Sequence, residues 1–103
     1  MRNEYRGEAS LRVGGAELGL RPSFAALVAA EGELGPLFAL VERAGEGRLA
    51  LSEIAALFWH CLRERPEGVT REDVGEAVVG QGLQAVMPAL RTLLGQIVLG
   101  QRD

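Results

Sequence analysis

Apolar and polar positions follow two different periods along this chain. From Arg6 to Arg21 they alternate on both sides of Gly14-Gly15. That is the period of a half-buried strand, and a Gly-Gly pair between two such runs predicts a β-hairpin with a two-residue turn. Pairing across the turn sets Val13 opposite Ala16, Leu11 opposite Leu18 and Ala9 opposite Leu20. The other face pairs Arg12 with Glu17 and Glu8 with Arg21. One register thus satisfies an apolar face and both charge pairs, and a slip of one residue reverses the faces. A lone hairpin is marginal in water, so this one is expected to lie on the rest of the chain.

After Pro22 the period becomes helical. Ser23 is placed to cap a short helix carrying Phe24, Leu27 and Val28, with Gly32 and Gly35 as interruptions. Pro36 suits a first helical position, and Leu37, Leu40, Val41 and Ala44 form the next stripe, closed by Gly45-Glu46-Gly47. Ser52 is the expected cap of a third helix with Ile54, Leu57, Phe58, Cys61 and Leu62 in register. Thr70 precedes Glu72 and Asp73, which reads as a capped start for Val74, Ala77 and Val78. The last helix is the most regular, with Leu83, Val86, Met87, Leu90, Leu94 and Ile97 on one stripe, Leu93 and Val98 widening it, and Arg91 and Gln96 on its margin. Pro88 should kink that helix or mark its start. The expectation is an α+β single domain over residues 1–103: a two-stranded antiparallel β-hairpin (6–21) packed on a helical body (23–99) of about five helices.

Composition narrows the class. The chain has 103 residues, 48% hydrophobic and 24% charged, with a formal net charge of −3. An acidic balance with scattered Arg argues against a general nucleic-acid or anionic-membrane binder. Cys61 is the only cysteine, so no internal disulfide forms, which suits a reducing cytoplasm. Met1–Tyr5 lacks the apolar run of a signal peptide, and the longest apolar run, Phe24–Ala30, is far too short to span a bilayer. A soluble intracellular protein is the expectation.

Candidate chemistry is sparse. Glu42–Glu53 imitates a calcium loop, with Gly47 sixth, Leu49 eighth and Glu53 twelfth. Ala44 and Ala50 remove the third and ninth ligands, so the segment reads as a glycine-terminated helix followed by the next helix start, or at most as a degenerate EF-hand-like module. His60 and Cys61 are adjacent and diverge by roughly 100° on a helix, which disfavours a catalytic pair. Cys61 lies on the apolar stripe and reads as core. A helix-turn-helix reading fails on Glu72, Asp73 and Glu76, which repel phosphate where basic and amide side chains are needed. Gly14-Gly15 lacks the Lys-Ser/Thr ending of a phosphate loop. Trp59, the only tryptophan, is either an edge-of-core residue or an anchor for a partner. No enzyme, metal or cofactor is expected.

The order of motifs resembles a known family. Arg6-Gly7-Glu8 with Leu11 opens the hairpin, and Leu20-Arg21-Pro22-Ser23-Phe24-Ala25-Ala26-Leu27 follows. Then come Glu31-Gly32-Glu33-Leu34, Ile54-Ala55-Ala56-Leu57, Thr70 with Glu72-Asp73-Val74, and Gly82-Leu83 before a Leu-rich helix. Over roughly residues 6–98 this is similar to the tail assembly chaperone family of gene transfer agents and tailed phages. The resemblance implies a non-enzymatic protein that holds the aggregation-prone tape-measure protein until tail-tube subunits polymerise around it. Some members are described instead as tube or minor tail components, so the alternative expectation for this chain is a structural tail or tail-tube-associated component retained in the particle, with a homo-oligomer among its expected partners. If an amphipathic tape-measure segment docks in an apolar groove, the candidate contacts are Trp59, Phe58, Leu93 and Val98, which widen or flank the stripes. Strand addition at a hairpin edge is the second possibility.

Overall fold

The computed structural model of the chain describes residues 9–100. In chain order it contains β1 (Ala9–Val13), β2 (Ala16–Leu20), α1 (Phe24–Leu34), α2 (Leu37–Gly45), α3 (Leu51–His60), α4 (Arg71–Gln81) and α5 (Leu83–Leu99). The α+β expectation of a hairpin and five helices holds.

The strands pair antiparallel as Ala9↔Leu20, Leu11↔Leu18, Arg12↔Glu17 and Val13↔Ala16, the register that the alternation predicts. Gly14 and Gly15 both take positive φ (57° and 86°), the conformation a type I′ hairpin turn demands. Arg12 and Glu17 approach to 3.3 Å on the solvent face. On the other face Ala9, Leu11, Val13, Leu18 and Leu20 are buried, whereas Ala16, beside the turn, is exposed. The expected Glu8–Arg21 pair lies outside the described residues.

The hairpin is anchored by a segment that periodicity assigned to helix. α3 stops at His60, and Leu62 forms an isolated antiparallel bridge with Leu20. Around it the Arg21 N–H donates to the Cys61 carbonyl (2.6 Å) and the Arg63 N–H to the Gly19 carbonyl (2.9 Å). Cys61–Arg63 therefore runs alongside the end of β2, held by this one bridge and two backbone hydrogen bonds. Gly19 permits the approach: a Cβ there would meet Cδ of Arg63 at 3.1 Å. On the other strand, the Arg12 carbonyl accepts from Gln81 Nε2 at 2.6 Å. Each edge of the hairpin thus carries at least one contact to the helical body.

Local signals explain most helix ends. The Ser23 hydroxyl accepts from the Ala26 N–H (3.1 Å), and Thr70 and Asp73 form a reciprocal capping box at 3.1 and 2.9 Å. Besides the end of α3, three boundaries differ from expectation. α1 runs through Gly32 and ends only at Gly35, because one exposed helical Gly costs about 1 kcal/mol and does not stop a helix. Pro36 is the cap of α2, and the freed Leu37 N–H is taken by the Glu31 carboxylate at 3.0 Å. α3 starts at Leu51, and Ser52 is helical: the Glu53 carboxylate reaches back to the Ala50 N–H (2.9 Å) and sets the start there.

The core collects the apolar face of the hairpin, Leu40, Ile54, Leu57, Phe58, Cys61, Val74 and Val78, and from α5 Val86, Leu90 and Leu93. α3 packs on α1 and α4, and α5 packs on β1 and α4. α5 continues through Pro88. Pro88 has no N–H for the Gln84 carbonyl, a defect worth about 3 kcal/mol against Ala in a helix interior. Its ring is exposed. Pro88→Ala is therefore expected to raise stability by about 2 kcal/mol, after about 0.4–1 kcal/mol is subtracted for the freer unfolded chain. Urea denaturation checks this, and a lowered midpoint would overturn it.

Candidate functional site

The wide apolar arc of α5 meets two environments. Its centre, Val86, Leu90 and Leu93, is buried, while Leu83, Val98 and Leu99 on its flank are exposed. That flank faces α2 and the loop after it across an open groove of about 710 Å³. Val41 and Ala44 of α2 and Leu49 of the loop form one wall, Leu83, Met87, Leu94 and Val98 of α5 the other, and Ile54 and Leu90 the floor. Among the described residues, Arg91 is the only charged one lining it.

The four sequence candidates do not converge. Val98 lines the groove and is 59% exposed. Phe58 and Leu93 are completely buried (0% exposed) and belong to the core, so neither offers a surface to a partner. The reason is angular. α3 is covered by α1 and α4, and the buried centre of α5 falls on Leu93, not on Leu94 as the stripe suggests. Trp59 is half-buried, packs against the core edge, and lies outside the groove lining. Arg65 holds it, with the guanidinium 4.3 Å from the ring centroid and Nη2 donating to the Trp59 carbonyl at 3.2 Å.

The sequence reading missed Val41, Leu49 and Gly95, and treated Arg91 as mere margin. Gly95 was the available signal. A glycine inside a long apolar helix costs about 1 kcal/mol against Ala and suggests close approach by something else. A Cβ at Gly95 would meet nothing within 4 Å. Gln96, expected on the polar margin, instead has both amide polar atoms buried, without a hydrogen-bond partner among the described residues.

Polar clusters elsewhere bind the fold together. Glu33 of α1 pairs with His60 of α3 at 2.8 Å and with Arg71 at the start of α4. The His60 hydrogen bond and then the Arg71 one hold its carboxyl below the usual range. Cys61 faces the core, and burial pushes its thiol up to about 12. In the calcium-like loop, the Glu53 carboxylate is taken by Arg43 (2.8 Å) and by the Ala50 N–H (2.9 Å). Among the described residues no three His, Cys, Asp or Glu side chains converge as a metal site, and no single helix is long and apolar enough to cross a membrane.

Glu53 makes a pH prediction. The Arg43 hydrogen bond, then the backbone N–H, lower its pKa from 4.5 to about 2. A carboxyl whose pKa is lower when folded stabilises the fold above its unfolded pKa and loses that contribution as pH falls through the folded one. Stability is therefore expected to drop between about pH 4.5 and 2, and Glu53→Gln should flatten part of that drop. Denaturation midpoints at several pH values decide it; equal slopes for the two proteins would exclude Glu53 as a source.

The groove is apolar and open. No curated protein and no solved structure matches the chain. A family model described as phage tail tube protein, GTA-gp10, matches residues 6–100, which includes every described element. The chain belongs to this family of phage and gene transfer agent tail proteins.

Proposed function

We propose that the protein is a non-catalytic tail assembly adaptor that shelters an apolar helical segment of the tape-measure protein until tube subunits enclose it. The observation that supports this reading is the α2–α5 groove: an open apolar surface on a chain from a tail family. A groove walled largely by helices has few free backbone groups to offer an extended strand, whereas an amphipathic helix satisfies its own backbone and brings only side chains. Co-expression with tape-measure segments, followed by pull-down and size-exclusion chromatography, tests the reading. The expected result is a soluble complex where the segment alone precipitates. A folded protein that binds no segment, against a soluble control, overturns it.

A second reading is a structural component retained in the tail. It is favoured by exposed apolar residues outside the groove, namely Phe24 (85% exposed), Val28 on the same face of α1, and Phe38 (88%) of α2. A subunit in a ring or tube meets neighbours on more than one side. Its signature is self-association into rings and detection of the chain in purified particles.

A further inference from the structure

We infer that the α2–α5 groove selects an amphipathic helix of about four turns that carries a carboxylate at the middle of its apolar stripe, paired with Arg91. The inference rests on the adaptor reading and adds the chemistry by which a segment is chosen. The length comes from α5. Leu83, Met87, Leu90, Leu94 and Val98 all line the groove, and at about 1.5 Å per residue they mark a strip roughly 22 Å long. Closeness comes from the glycines. Gly95 and Gly45 both line the groove, and a Cβ on either would meet nothing within 4 Å. An incoming helix can therefore approach the backbone there.

Charge decides between occupants. Arg91 stands midway along α5, is exposed, and is the only charged residue among the described residues of the lining. Arg12, Arg43, Arg48 and Arg71 each have a carboxylate partner, whereas Arg91 has none among the described residues. A second copy of this chain is a poor occupant, because a two-fold packing of α5 on α5 sets Arg91 near its own mate and the described residues of the groove lining contribute no acid to separate them. A helix with a central Glu or Asp pairs with Arg91 while its apolar face fills the strip. Such a pair at a groove rim acts mainly on orientation and partner choice.

The test uses the intact protein and three labelled amphipathic Leu/Ala-rich peptides of about 18 residues, long enough for the strip, with Glu, Gln or Lys at the centre. Fluorescence anisotropy is expected to rank them Glu, Gln, Lys, with the Glu peptide bound at least about tenfold more tightly than the Lys peptide, the ratio that corresponds to 1.4 kcal/mol. Arg91→Glu should invert the ranking. Gly95→Leu, which fills the groove from an open position, should weaken all three while leaving the melting temperature unlowered. Equal binding of the Glu and Lys peptides, or no effect of Gly95→Leu, overturns the inference. Tape-measure complexes that survive both substitutions also overturn it while leaving the adaptor reading intact. Arg91-dependent peptide binding without any tape-measure complex supports the groove chemistry and refutes the adaptor reading.

Discussion

Phe58→Ala is expected to lower the free energy of unfolding by about 3–5 kcal/mol, the usual cost of removing a buried ring and leaving a void. Total stability for a chain of this size is about 5–15 kcal/mol, so the variant should be close to unfolded at moderate urea. Phe58 is the largest of the completely buried side chains, on a helix clasped between α1 and α4. Urea denaturation followed by circular dichroism gives the midpoint and slope. The same experiment separates the two roles assigned to this residue. A core Phe58 costs stability; a groove Phe58 would cost binding in a protein that unfolds at the wild-type midpoint, and that outcome would reverse the assignment made here.

Leu20→Ala should have the next largest effect, about 2–5 kcal/mol. Leu20 ends β2, is completely buried, faces Ala9 across the hairpin and bridges to Leu62. An isolated two-stranded hairpin is marginal in water, so its order depends on apolar contact with the helices, and Leu20 sits at that junction. The loss should be cooperative. The Arg21 and Arg63 N–H groups, which donate to Cys61 and Gly19 carbonyls across the junction, are expected to lose hydrogen-exchange protection together with the core helices. A loss below about 1 kcal/mol, smaller than large-to-small core changes give, with unchanged protection at these amides, would show that the hairpin is held by its other buried residues.

How much was legible follows from the range of each interaction. The hairpin register was readable because its determinants lie within a few residues: a Gly-Gly turn, a period of two and the Arg12–Glu17 pair. The caps at Ser23 and Thr70 were readable for the same reason, since each acts on an N–H three residues away. Ser52 failed as a cap although the rule was sound, because Glu53 offered a competing carboxylate to Ala50. Leu62 failed as a helical residue because its partner is Leu20, far back in the chain.

The candidate site was legible only as a possibility. The sequence by itself determined that α5 is apolar over a wider arc than a single neighbour covers, and that the chain carries a tail-family pattern. Tertiary structure decided which part of that arc is core. Because β1 and α4 pack on α5, Leu93 is buried while Leu83 and Val98 remain exposed along the groove that faces α2. It also withdrew Phe58 into the core and tied Trp59 to Arg65. Periodicity records only the direction of each side chain around its own helix axis. Burial depends on which other elements stand in that direction, and those contacts are made by residues far apart in the chain.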